Sequence, residues 1–104
     1  MMIRAGEPAV PVLKEAVGSR NHRLRWNAVR TLEKMRKQPD YVRAYILDLQ
    51  YEDCSVRKRA AGQLGALGDR RAIPVLVEAK KRSFFENYCM FWTLDRALEH
   101  LGAQ

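Results

Sequence analysis

The chain has 104 residues, of which 47% are hydrophobic and 30% charged, a composition that suits one packed domain over 1–104 and excludes a disordered chain. Its net charge of +7 favours acidic partners: nucleic acid, an acidic protein surface or anionic lipid. No apolar run approaches the roughly 20 residues of a membrane-spanning helix, and the N-terminal residues lack the apolar region of a secretion signal.

The first predicted helix covers residues 8–18 and has the pattern of the second helix of a helical pair. Proline in its first turn costs little because that N–H has no helical partner. The pattern recurs 63 positions later, where Ala9, Pro11, Val12, Leu13, Glu15 and Ala16 are answered by Ala72, Pro74, Val75, Leu76, Glu78 and Ala79. We therefore expect the chain to begin with half of a repeat.

Residues 21–51 are predicted to form a complete helical pair. The first helix, over 24–37, matches a later segment 32 positions on: Leu24, Arg25, Ala28 and Leu32 are answered by Val56, Arg57, Ala60 and Leu64. Its core-facing residues are expected to be Leu24, Ala28, Leu32 and Met35. The second helix is expected from Pro39-Asp40 to about Tyr51, with these residues inward: Val42, Tyr45, Ile46 and Leu49. Since 63 is close to twice 32, one period of about 32 residues accounts for both matches and indicates a repeat architecture.

Residues 53–82 contain the clearest helical pair. Apolar residues recur at helical spacing in both halves: Val56, Ala60, Ala61, Leu64 and Leu67 in the first helix, Ile73, Leu76 and Val77 in the second. Between them, Gly68 is suited to the left-handed turn that ends a helix, and Asp69 to capping the next one.

Segment 53–82 carries its pattern at these positions: Asp53, Val56-Arg57, Ala60-Ala61, Leu64-Gly65, Leu67-Gly68-Asp69 and Ala72-Ile73-Pro74-Val75-Leu76. The pattern resembles a HEAT-like repeat of the bacterial and archaeal variety related to phycocyanobilin-lyase-type repeats. The resemblance implies an all-α fold, a short α-solenoid of about six helices in roughly three stacked pairs. It also implies a structural ladder in which Arg25 and Arg57 pair with an aspartate of a neighbouring turn, such as Asp69. It implies little about activity, because such repeats serve scaffolds and enzymes alike.

The last predicted helix, over 84–102, is unusually aromatic; its rings are Phe84, Phe85, Tyr88, Phe91 and Trp92. One interpretation is a capping helix whose large rings close the core at the end of the array. The other is a docking surface on which exposed aromatic side chains anchor a partner.

Catalytic patterns are missing from the sequence. Cys54 and Cys89 fit no metal spacing, and the adjacent Glu99 and His100 diverge on a helix. We predict no catalytic residue, no metal and no cofactor, although an enzyme or lyase fragment stays a third hypothesis. Both cysteines are predicted to be reduced thiols in a cytoplasmic protein.

Two surfaces are candidates for binding. A mixed-charge row is expected on the concave side of the solenoid and suits a protein partner, including an acidic one: Glu15, Arg43, Leu47, Tyr51, Arg71, Glu78 and Arg82. This row predicts a non-catalytic protein-interaction or scaffold module. Exposed apolar ends of the array would also permit homo-oligomers.

A basic stripe on the 21–37 helix supports the alternative function, non-specific nucleic-acid binding. Its residues recur on one helical face: Arg23, Trp26, Arg30, Lys34 and Lys37. An ordinary solvated outer face explains the same pattern, with the tryptophan packed on a neighbour.

Overall fold

The computed structural model describes residues 9–82, 87–90 and 92–102. Within these ranges it contains six α-helices, one 3₁₀ turn and no β-strand, so the predicted all-α class is confirmed. The elements are α1 (Val10–Ala16), α2 (His22–Lys34), α3 (Tyr41–Asp48), α4 (Cys54–Leu67), α5 (Ala72–Lys80), η1 (Tyr88–Met90) and α6 (Thr93–His100). They form two compact units, residues 1–44 and 45–104, which we call unit 1 and unit 2.

Unit 1 is built around the buried face of α2, against which α1 packs. Its core consists of Val17, Ala28, Val29, Leu32 and Ala44. Leu24, predicted to face inward, is 50% exposed, and the neighbouring Arg25 is buried in its place at 1%. The predicted face is therefore rotated by one residue at the start of α2.

Unit 2 is built around α4, whose small buried residues Ala60, Ala61 and Gly65 allow α6 to pack closely. The α6 side of this contact is Leu94, Ala97 and Leu98, and α6 also packs against α5. Leu67 and Val77, which helical spacing placed on the apolar faces of their helices, are 44% and 39% exposed.

The predicted 32-residue period appears again in the local geometry before α2 and α4. Asn21 and Asp53, which are 32 positions apart, cap these helices with nearly the same backbone angles, φ −76° and ψ 112° against φ −80° and ψ 119°. Four residues further on, the buried Arg25 donates from Nη1 to the Ser19 carbonyl, and Arg57 donates to the Tyr51 carbonyl, each at 2.6 Å. We call each of these arrangements an arginine clamp.

The third residue of the predicted structural ladder is Asp69. That carboxylate accepts hydrogen bonds from Nε and Nη2 of Arg71, two residues along its own turn, at 3.1 and 3.0 Å. The ion pair of Asp69 is thus made with Arg71, and the ladder of Arg25 and Arg57 with an aspartate of a neighbouring turn stays a prediction. Arg71 belongs to the same turn as Asp69. It reaches the carboxylate without crossing to another helical pair.

Two glycines of unit 2 have specific structural roles. Gly68 ends α4 with φ +73°, the left-handed conformation expected from the sequence. Gly65 lies where α4 meets α6, and a Cβ placed on it would be 2.7 Å from Cα of Ala97. Gly62, one turn earlier, has only Thr93 Cγ2 at 4.0 Å.

The aromatic segment does not close the core with all of its rings. Tyr88 and Trp92 are 66% and 69% exposed, and Met90 and Leu94 are the buried residues. The capping interpretation is wrong for these two rings; Phe84, Phe85 and Phe91 lie outside the described residues. Asn87 donates from Nδ2 to the Ala79 carbonyl at 2.9 Å, which satisfies a terminal carbonyl of α5.

A disulfide joins Cys54, at the start of α4, to Cys89 in η1, with 6.0 Å between their Cα atoms. The predicted reduced thiols are therefore wrong, and the cytoplasmic prediction loses the support that it drew from them. The sequence could not show the pairing, because the two residues are 35 positions apart and meet only when η1 packs on α4.

We predict that Gly65→Ala destabilises the protein by about 1–3 kcal/mol, because its new methyl group meets the α6 backbone. Gly62→Ala is the matched control and should stabilise it by about 0.5–1 kcal/mol through helix propensity. Urea unfolding followed by circular dichroism measures both. Equal effects of the two substitutions would contradict the close α4–α6 contact.

Replacing Arg57 by Met should lower the free energy of unfolding by about 2–4 kcal/mol. The substitution leaves the Tyr51 and Glu52 carbonyls, which Arg57 Nη1 contacts at 2.6 and 2.9 Å, without this donor. Arg59→Met, on the exposed side of the same helix, should change it by less than about 0.5 kcal/mol. The same urea titration tests the clamp, and a neutral Arg57→Met would refute it.

Reduction of the disulfide should lower the free energy of unfolding by about 3–4 kcal/mol, because the bond closes a long loop in the unfolded chain. Thermal unfolding with and without dithiothreitol measures the change. The Cys54→Ser, Cys89→Ser double variant should be insensitive to the reductant. Two titratable thiols in the unfolded, unreduced protein would contradict the bond.

Candidate protein-binding groove

An open groove of about 450 Å³ lies in unit 2 between the C-terminal part of α3 and α5. Its lining residues are Ile46, Leu49, Gln50, Val75, Glu78, Ala79, Lys81 and Arg82. The two walls come from second helices of successive predicted pairs. The groove is large enough for one or two side chains of a partner, and we call it the α3–α5 groove.

The groove has an apolar floor and a charged rim. Leu49 and Ala79 are buried, and Ile46 and Val75 are half-buried. On the rim, Lys81 Nζ lies 3.3 Å from Glu78 Oε2, with both side chains largely exposed. An exposed pair of this kind is weak, so a partner can exchange it for its own contacts at little cost.

Arg82 connects the two walls. Its Nη1 donates to the Leu49 carbonyl at 3.3 Å, so that one guanidinium N–H satisfies a carbonyl just beyond the end of α3. The Arg82 carbonyl lies 3.5 Å from Nδ2 of Asn87. The C-terminal end of α5 is thus held on two sides, and this end of the groove is preorganised.

The structure brings only part of the predicted concave row into this groove. Glu78 and Arg82 line it. Leu47 and Tyr51 are half-buried residues of unit 2 outside the lining set. Arg71 is held by Asp69, and this hydrogen bond with the Arg71 side chain lowers the pKa of the Asp69 carboxyl.

The other two members of the row, Glu15 and Arg43, belong to unit 1. Glu15 is exposed on α1. The Arg43 guanidinium lies directly over Gly18, where any side chain would collide with it. Glycine at this position therefore allows Arg43 to lie flat across the end of α1.

Sequence reasoning assigned several groove residues to the core or overlooked them. Ile46 and Leu49 were predicted to face inward, and both contribute to the groove floor. Gln50, Val75, Ala79 and Lys81 were not singled out as site residues. Their helical spacing is visible in the sequence, but which apolar positions stay accessible depends on how far apart α3 and α5 lie.

The predicted polyanion stripe is exposed at Arg23, Arg30, Lys34 and Lys37. Trp26 is the exception, because it is half-buried and packs against the unit 1 core. Arg30 donates from Nη2 to Oδ1 of Asn27, one turn earlier, at 2.9 Å. The stripe is thus cationic rather than aromatic.

The described ranges also show what the site lacks. Among residues 9–82, 87–90 and 92–102, no three His, Cys, Asp or Glu side chains come together as metal ligands. In the same ranges, no helix combines the length and apolar character needed to cross a bilayer.

These helical pairs with a recurring cap and clamp define a helical-repeat architecture. Residues 56–82, which include most of α4 and all of α5, match the family model described as PBS lyase HEAT-like repeat. This segment is thus similar to a HEAT-like repeat, which is consistent with a short helical solenoid. Neither the curated proteins nor the solved structures include a significant match to the chain.

Proposed function

We propose that the protein is a non-catalytic protein-interaction or scaffold module that binds a partner in the α3–α5 groove. The observation that carries the proposal is the open, apolar-floored groove beside a HEAT-like repeat. HEAT-like repeats commonly serve protein interactions, and stacked second helices provide extended binding surfaces. No catalytic residue, metal or cofactor enters the proposal.

The chemistry of the groove supports a protein partner. Apolar floor residues can bury a partner side chain, while the Glu78–Lys81 pair and Arg82 offer polar contacts of both signs at the rim. A polyanion fits this site poorly, because Glu78 would repel it and the C-terminal ends of α3 and α5 contribute to its lining. A short peptide segment or a loop with one apolar anchor fits best.

The test compares Val75→Glu, in the groove floor, with Val77→Glu, an exposed position of the same helix outside the groove. Extracts are passed over the immobilised protein and both variants, and bound proteins are measured by quantitative mass spectrometry. A specific partner should be retained by Val77→Glu and reduced at least tenfold by Val75→Glu, because a buried unpaired carboxylate is costly.

Binding of every captured protein to Val75→Glu at wild-type level would overturn the proposal. Purified partner and titration calorimetry then give the affinity directly. Circular dichroism of both variants ensures that loss of binding does not reflect loss of the fold.

A further inference from the structure

The excess positive charge of the chain is confined to one unit. Unit 1 holds ten Lys and Arg against four Asp and Glu, a balance of +6. Unit 2 holds nine against eight, a balance of +1. Several unit 2 cations are also paired, for example Lys80 Nζ with Asp95 Oδ1 at 2.6 Å. A basic overall composition therefore describes unit 1 alone.

Within unit 1, the charge is organised along α2. At 3.6 residues per turn, Arg23, Asn27, Arg30 and Lys34 fall within an arc of roughly 60° on the helix surface, along about 16 Å of its axis. All four are exposed. We call this row the α2 ridge. The hydrogen bond from Arg30 to Asn27 holds two of its members in register.

Acidic and apolar side chains lie off the ridge. Glu33 lies about 60° beyond the edge of the ridge, which is Arg30, and accepts a hydrogen bond from the Tyr41 hydroxyl. Trp26 packs against the core, and the half-exposed Leu24 lies about 100° away on the flank. The ridge thus presents three cations and one amide to solvent without an interrupting carboxylate.

We propose that the α2 ridge binds the phosphate backbone of a nucleic acid without reading its sequence. Phosphate contacts need only cations and hydrogen-bond donors, and arginine and asparagine supply both. A protein interface would need an apolar or aromatic anchor at its centre, which the ridge lacks. A membrane-bound helix would need an apolar face for the lipid, and that face of α2 is committed to the unit 1 core.

This site is independent of the α3–α5 groove and makes a quantitative prediction. Three phosphate contacts on duplex DNA give a slope of about −2.7 in a plot of log K against log salt concentration. The Arg23→Gln, Arg30→Gln, Lys34→Gln triple variant should therefore lower the steepness of that slope by about 2–3. Its affinity at low salt should fall at least tenfold.

The control removes the same three charges from exposed positions of unit 2, as Lys58→Gln, Arg59→Gln and Arg96→Gln. Fluorescence anisotropy of a labelled random-sequence duplex, titrated at several salt concentrations, compares the two triple variants at equal net charge. The unit 2 variant should keep the wild-type slope. Parallel titrations use single-stranded DNA, duplex RNA, polyglutamate and anionic vesicles.

Two results with duplex DNA would overturn the proposal: no binding by the wild type at low salt, or equal losses of affinity in both triple variants. A third is that polyglutamate or vesicles bind as tightly as nucleic acid and lose affinity to the same extent in the α2 variant. Helicity measured by circular dichroism should be unchanged in both variants, since every substituted side chain is exposed. The Val75→Glu groove variant should bind duplex as the wild type does, which separates this site from the proposed protein-binding groove.

Discussion

The two arginine clamps are the interactions on which the local architecture depends. In each, a guanidinium that is buried to more than nine-tenths is held by a carbonyl of the loop before its own helix. A charge so far from water is tolerated only when hydrogen bonds compensate its desolvation. The arginine can therefore be buried only if the loop before its helix places a carbonyl within reach of the guanidinium. The same arrangement occurs twice, at a spacing of 32 residues.

Close packing in unit 2 follows from the small residues that the clamped helix presents. Ala60, Ala61 and Gly65 bring the α4 backbone near α6, and α6 in turn supports α5. The Cys54–Cys89 disulfide fixes the start of α4, and the Asn87 side chain binds the C-terminal end of α5. One wall of the α3–α5 groove is thus formed by α5, which packs against α6. This packing favours a preformed binding site over one that folds on binding.

The proposed functions divide between the units along chemical lines. Unit 2 is nearly neutral, has several of its charges in ion pairs and offers a cavity with an apolar floor. Unit 1 carries almost all of the net charge and displays part of it on the exposed face of α2. Apolar burial and counterion release are different driving forces, so the two surfaces respond oppositely to salt.

Much of the fold could be predicted from the sequence because it depends on local rules. Helical spacing, the left-handed glycine at position 68 and the 32-residue recurrence indicated the helices and the repeat. The basic character of the Arg23, Arg30 and Lys34 row was equally readable, since helix geometry alone places these residues on one face. The sequence also placed Glu78 and Arg82 on a surface suited to a partner, and both line the groove.

Tertiary structure decided what depends on distances between elements. Arg25 rather than Leu24 is buried because a loop carbonyl is within its reach, and hydrophobicity alone favours the opposite choice. The disulfide and the groove each require two segments that are about thirty or more positions apart in sequence to come together. Residue spacing defines one face of one helix; which face meets a neighbour, and how closely, follows only from packing the helices together.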